Sequence, residues 1–234
     1  LSKFQKSGFD LRKIENRRTL RTPFHKTEIS KDHFNKLVDN NNSEIFYFSS
    51  TSEEGKYIAE QTLAAYTQQA NDDQAKQELA NWMRFSNSDV EKHRDGLTTS
   101  GMGITGFGGF FVRNFYKPED SMKDSFIKIG IEKTKEQTEN CGGWILILQN
   151  EDNPESWIKT GSLYQKMNLS CRDMNIGFHP MNQMIEEESF EKKVNERLSL
   201  PGVIQFVSRI GYVDEYLPAN SVRRSVKEII RYAE

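Results

Sequence analysis

Trp144-Ile145-Leu146-Ile147-Leu148 is the segment that most constrains the fold. Five apolar residues in unbroken succession, with no alternation, fit a strand covered on both faces, so the run is read as a buried central strand. Shortly after it, Asn153-Pro154-Glu155-Ser156 has the cap residue and first-turn proline of a helix start. That helix is expected to run to about Asn175, with Gly177 as its stop. It is also expected to be the most buried helix. Trp157, Ile158, Gly161, Leu163, Tyr164, Met167 and Met174 populate most of its faces.

Two more strands are expected, at Glu44 to Ser49 and Val203 to Tyr212, from their aromatic and β-branched content. Ser30 reads as the cap of a short helix carrying Phe34, Leu37 and Val38, and residues 40–43 read as a turn. Residues 53–85 read as helix, broken near Asn71-Asp72-Asp73, with one stripe of Ile58, Thr62, Leu63 and Tyr66 and another of Ala75, Leu79 and Trp82. Further helices are expected from about Glu119 to Thr138, from Glu186 to Leu198, and in the basic tail after Ser221. Residues 94–118 hold seven glycine or proline punctuators among many aromatics and read as a long loop or lid with short helical pieces. No linker divides the chain, so residues 1–234 are taken as one mixed α and β domain.

Composition removes several classes of function. The 32 basic and 34 acidic residues leave a net charge of −2, which argues against a general polyanion binder and against nucleic acid as a partner. No run approaches the ~18 apolar residues that a membrane span needs. Two cysteines, neither in a CxxC, cannot make a disulfide scaffold, and a reducing, cytoplasmic location is the simpler reading.

Motifs of known chemistry are scarce. Gly101-Met102-Gly103-Ile104-Thr105-Gly106 spells GxGxxG, but the expected context lacks the strand before and the helix after that a dinucleotide fingerprint requires. It is read as a flexible loop. The four histidines are far apart in sequence, and no metal site is expected. Cys141 and Cys171 are read as small apolar packing groups, and Trp82 and Arg84 as ordinary packing and a solvated charge.

Three features are more informative. Arg17-Arg18-Thr19-Leu20-Arg21 places three guanidinium groups and a hydroxyl within five residues. Such a group either grips a phosphate through forked, charge-assisted hydrogen bonds or is a solvated basic turn. Arg223-Arg224, after Pro218, offers a second basic pair with the same two readings. The patternless segment from Met174 to Gln183, after the long helix, either exposes backbone N–H groups to a planar ligand or is a plain connector.

In this order the three features resemble the FMN-dependent nitroreductase family. Arg17-Arg18-Thr19-Leu20-Arg21-Thr22-Pro23-Phe24 looks like the family's N-terminal Arg-Arg-Ser-x-Arg-x-Phe. Arg209-Ile210-Gly211-Tyr212, then Pro218 and Arg223-Arg224, looks like its late pattern. A narrower resemblance is to the Acg-type proteins. It rests on Asn16-Arg17-Arg18-Thr19, Glu78-Leu79-x-x-Trp82-x-Arg84, Arg94-Asp95-Gly96-Leu97 and Pro180-Met181-Asn182-Gln183.

The resemblance implies an α+β sandwich with a mixed, mainly antiparallel sheet covered by helices. It implies that Arg17, Arg18, Thr19 and Arg21 hold the FMN phosphate and ribityl chain, joined by Arg223 and Arg224. Pro180, Met181 and Asn182 would line the flavin ring, with a backbone N–H near N5. NADH or NADPH would reduce FMN, which would pass electrons to a nitroaromatic or quinone-like small molecule, and no catalytic side chain is required. The pocket would be completed by a second nitroreductase-like half, either another copy or a missing part of the same chain.

The family's Pro-Ser-x-x-Asn-x-Gln-Pro segment does not occur here, and the chain opens on Leu1. The resemblance then implies the later part of a longer protein, incomplete at its N-terminus, with residues 96–118 as a lid. Two competing functions are a non-catalytic flavin-binding or sequestering protein and a structural domain of a larger, for example ThiF-fused, protein.

Overall fold

A computed structural model describes residues 10–38 and 43–230. Most of the turn expected at 40–43 lies outside them. Along the chain come α1 (Leu11–Glu15), α2 (Lys31–Val38), β1 (Ile45–Ser49), α3 (Glu53–Asn71) and α4 (Asp73–Trp82). Next are β2 (Met83–Arg84), α5 (Asn87–His93), β3 (Leu97–Thr98), α6 (Gly106–Phe115), a 3₁₀ turn at Pro118–Met122 and α7 (Asp124–Glu139). The remainder is β4 (Gly143–Gln149), α8 (Pro154–Cys171), a 3₁₀ turn at Arg172–Met174, β5 (Ile176–Pro180), α9 (Gln183–Glu186), α10 (Glu188–Leu198), β6 (Val203–Tyr212) and α11 (Val226–Ile229).

The chain divides into two compact units. The first comprises the described residues up to Thr62 together with Thr138–Ala219. The second comprises Leu63–Gln137 together with the described residues from Asn220.

The first unit is built on one antiparallel sheet in the order β1-β4-β6-β5. Every residue of β4 is buried, as the WILIL run requires. Side chains alternate across the pleat. Ile145, Ile147, Ile176, Phe178, Phe206 and Ile210 enter one core, where Leu37 of α2 and Met167 of α8 pack on them. Within that core Tyr164, Phe178 and Phe206 form an aromatic group with ring centroids 4.6–6.3 Å apart. The cysteines also pack as expected, Cys141 and Cys171 both being free and buried.

Local chemistry sets the ends of these elements. Ser30 Oγ accepts the His33 N–H at 3.2 Å, capping α2. Asn153 Oδ1 accepts the Ser156 N–H at 3.0 Å with Pro154 next in line, as anticipated for α8. The stop of α8 differs from expectation. Asn175, at φ 50°, takes the left-handed turn that ends the helical stretch, a conformation asparagine tolerates.

Gly177 instead lies within β5, opposite Gly211 of β6. The glycine pair makes a slot that the Phe24 ring fills. A Cβ on Gly177 would stand 2.4 Å from Phe24 Cε1, and one on Gly211 would stand 2.7 Å from Phe24 Cβ. Helix α8 carries more buried residues than any other helix among the described residues, as expected, but not all the expected ones. Met167, Leu169 and Cys171 are buried, but Trp157 and Ile158 are 54% and 72% exposed. The buried positions of their half of the helix are the small polar residues Ser156 and Thr160.

In the second unit, α3 and α4 break at Asp72 as expected. Asp72 Oδ1 accepts the Ala75 N–H at 2.8 Å and caps α4. A two-strand parallel ladder joins β2 to β3. Residues 106–115, expected as loop with short helical pieces, form the ten-residue helix α6. Gly109 makes this possible, because a Cβ there would come within 2.7 Å of the Ile104 carbonyl oxygen. The GxGxxG stretch therefore has a two-residue strand before it and a helix after it, contrary to the expected context. Its last glycine, Gly106 at φ 61°, is itself the first residue of α6.

Because the Phe24 slot admits no side chain, Gly177→Ala is expected to lower the unfolding free energy by about 1–3 kcal/mol through overpacking. Chemical denaturation of the two proteins measures this.

Candidate functional site

The segment that carries the basic cluster is extended and fixed at its far end. After α1 the chain runs to Phe24, with Leu20 and Phe24 buried. Backbone bonds from Phe24 N–H to Asn140 O at 3.0 Å and from His25 N–H to Tyr212 O at 2.9 Å tie it to the end of β6 and the turn before β4.

Beside the Phe24 slot lies Arg209, which is 0% exposed. Its guanidinium sits 3.9 Å from the centroid of the Phe24 ring. Its Nη2 donates to Thr22 O at 2.8 Å, its Nη1 to Asn140 O at 3.3 Å, and its Nε to His179 Nδ1 at 3.0 Å. His179 and Arg209 are register partners on β5 and β6. Burial first, then the charges of Arg209 and Arg21, push the His179 pKa well below its ordinary value. His179 is thus a neutral acceptor.

Arg18 is 8% exposed. Its Nη1 donates to Pro218 O at 2.6 Å, while its Nε is buried with no partner. Burial lowers the Arg18 pKa, with Tyr216 acting in the opposite direction. Arg21 is half-buried. Burial lowers its pKa too, Tyr164 opposes the shift and the neighbouring Arg18 charge adds to it. Arg17 and Thr19 are half-buried. The first unit therefore gathers cations in a partly dehydrated place, where an unpaired charge is costly. An orphaned donor of this kind suits an anionic group such as a phosphate.

Residues 174–183, expected to lack a regular pattern, contain β5 and the start of α9. Pro180 and Asn182 are half-buried and Met181 is buried. The Met181 N–H donates to Val207 O at 2.9 Å, and Asn182 Oδ1 accepts the Val207 N–H at 2.9 Å. This turn is held rigidly against β6.

Arg223 and Arg224 belong to the second unit. Arg223 is exposed, and its Nη1 donates to the adjacent Val222 O at 2.8 Å. Arg224 is ion-paired with Asp95. Asp95 also holds Arg84 at 3.0 Å, with side-chain exposures of only 11% for Arg84 and 19% for Asp95. Arg84, expected as a solvated charge, is therefore a shielded one. Burial alone would raise the Asp95 pKa, but hydrogen bonds from Arg224 and Arg84 outweigh it and leave the carboxyl below its usual range.

Among the described residues, no group of three or more His, Cys, Asp or Glu side chains is placed to hold a metal ion. Among them, no helix is long and apolar enough to cross a membrane.

Sequence reasoning did not assign a role to Arg209, His179, Arg172 or Tyr216. The available signal was Arg209 itself, the one charged residue of the strand VIQFVSRIGY.

The sheet, the helices that cover it and the N-terminal basic segment agree with one family. The nitroreductase family model matches residues 14–212, and the chain belongs to that family. Among solved structures, the FMN-dependent nitroreductase NfnB from Mycobacterium smegmatis, in complex with NADPH, is similar at 14% identity and TM-score 0.56, covering 95% of this chain and 97% of that one. The FMN and NADPH-dependent nitroreductase NfnB from Sphigopyxis sp. strain HMH aligns at 12% identity and TM-score 0.58, covering 95% and 98%. A nitroreductase with bound FMN from Desulfitobacterium hafniense DCB-2 aligns at 12% identity and TM-score 0.55, covering 96% and 97%. At these identities the likeness is one of fold. No curated protein matches the sequence.

Two predictions follow from the buried arginine–histidine pair. Arg209→Met should lower the unfolding free energy by about 1–3 kcal/mol, since Thr22 O loses this donor whereas Asn140 O keeps the Phe24 N–H. Equilibrium denaturation measures it. His179 is held neutral, whereas in the unfolded chain an imidazole titrates near ~6.5. The unfolded chain thus binds the proton first on acidification. The His179 contribution is complete above about pH 6.5 and is lost as pH falls toward the depressed folded value. Stability measured between pH 7.5 and 5.5 should fall less steeply in His179→Gln, by up to about 1.4 kcal/mol per pH unit, the effect of one proton.

Proposed function

We propose that this chain is an FMN-dependent oxidoreductase in which Arg17, Arg18, Thr19 and Arg21 hold the phosphate and ribityl chain. The observation that carries the reading is the buried Arg18 Nε without a partner, on the basic segment of a chain belonging to the nitroreductase family. A phosphate beside it supplies the acceptor that the protein does not. The two similar NfnB proteins are FMN-dependent and the Desulfitobacterium nitroreductase has FMN bound, which supports the same cofactor.

Pro180, Met181 and Asn182 line the flavin ring in this proposal, and the bonds of Met181 and Asn182 to Val207 keep that wall fixed. Arg223 and Arg224 enter through the family resemblance alone. When bound, FMN supplies two-electron transfer from NADH or NADPH to a small nitroaromatic or quinone-like acceptor. The residues of this chain bind and orient it. The NADPH named for the two NfnB proteins favours a nicotinamide donor. A second nitroreductase-like half, residues 96–118 as a lid, and a cytoplasmic location complete the proposal.

The purified chain is expected to be yellow, with a flavin absorption band, and to oxidise NADH or NADPH when an acceptor is added. A yellow protein without oxidation would favour a sequestering role. A colourless protein that added FMN fails to stabilise would overturn the reading. Arg18→Ala should weaken FMN binding by about 1.5–3 kcal/mol, the worth of one charged hydrogen bond, as measured by flavin fluorescence titration.

A further inference from the structure

The 216–218 segment and the end of α8 enclose Arg18 in a way that its own packing does not require. Tyr216 Oη donates to the Arg18 carbonyl at 3.2 Å. Two residues later, Pro218 O accepts from Arg18 Nη1 at 2.6 Å. Backbone and guanidinium of one residue are therefore held by the same three-residue segment, forming a closed ring of contacts. Arg172, in the 3₁₀ turn after α8, fastens that ring. Its guanidinium lies 4.9 Å from the Tyr216 ring centroid, and its Nη1 donates to Asn16 O at 3.1 Å and to Leu217 O at 3.4 Å. Lys13 of α1 is ion-paired with Asp173 beside it.

The ring leaves one edge of Arg18 unused. With Nη1 committed to Pro218, the guanidinium retains the edge that contains Nε, and Nε is buried without a partner. An arginine presenting one edge can give two parallel N–H bonds to a phosphate. Because its direction is already fixed, little side-chain freedom is lost when an anion arrives.

We propose that Tyr216 and Arg172 are positioning residues that aim the Nε edge of Arg18 and so set the preference for a phosphorylated over an unphosphorylated flavin. The inference rests on the reading above that Arg18 meets the FMN phosphate. Neither residue needs to touch the flavin. Tyr216 acts through the Arg18 carbonyl, and Arg172 acts through Tyr216 and the carbonyls on either side.

The test compares FMN with riboflavin, which has the same ring and ribityl chain but no phosphate. Affinities are measured by fluorescence titration for the parent chain, Tyr216→Phe and Arg172→Lys. Tyr216→Phe removes one hydroxyl, and Arg172→Lys keeps the charge but loses the planar fork. Each variant should bind FMN roughly tenfold more weakly, the loss of about one net hydrogen bond, and should bind riboflavin within about twofold of the parent. Equal losses for the two flavins would show a merely structural role and overturn the proposal. Unchanged affinity for both would overturn it as well.

A parent chain that binds neither flavin would instead sink the FMN reading. The aiming role is then decided with inorganic phosphate as the probe, by thermal shift. A phosphate-induced shift in the parent that is lost in Tyr216→Phe would sustain the role, and equal shifts or none in either protein would overturn it.

Discussion

The first unit depends on one buried charge. Arg209 has no solvent access, so its guanidinium must find acceptors inside the protein, and the fold supplies them from three segments. Thr22 O comes from the N-terminal arm, Asn140 O from the turn before β4, and His179 Nδ1 from the neighbouring strand. The Phe24 ring closes the remaining face. A lysine could not serve all these partners at once, since its ammonium lacks the planar fork. The same set of bonds decides where the arm lies. With Thr22 and Phe24 held, Arg21 and Arg18 have only a few residues in which to diverge from the sheet.

Steric constraint reinforces this electrostatic one. The Gly177–Gly211 pair leaves room on the sheet for an aromatic ring, and Phe24 is the residue that arrives there. A position on the sheet that favours β-branched residues for their propensity is thus given to glycine for its absence of volume. Strand stability is spent locally to dock the arm that bears the basic cluster. The cationic cluster and the neutral histidine are two results of one packing decision.

Legibility in the sequence varied with how local the cause was. The central strand was legible because five apolar residues need no tertiary information. The caps at Ser30 and Asn153 were legible because a side chain and an N–H three residues on are sufficient, and the helix break near Asp72 was legible from its run of Asn and Asp. The arginine segment stood out through its composition. By contrast, β5 reads Ile-Gly-Phe-His-Pro, poor in strand preference, and it is a strand because β6 pairs with it. The helix α6 has three glycines in its first four residues, against helix propensity, and at Gly109 the absence of a Cβ is a steric requirement. Arg84 looked solvated until Asp95, eleven residues on, was brought beside it. The role of Arg209 was illegible because its partners lie 30 to 187 residues away.

The two cysteines have a consequence for how this molecule can be followed in solution. Burial raises the Cys141 thiol to about 11 and raises Cys171 further still. Both stay protonated and shielded while the fold is closed, and thiolate chemistry is correspondingly slow. Cys171, the last residue of α8, faces the core, and Cys141 lies in the turn that feeds β4. An alkylating reagent added to the native protein therefore modifies a given cysteine only when its own surroundings open. Mass spectrometry that separates the two modified peptides would time the opening of the helix–sheet core and of the β4 turn independently, with no substitution introduced.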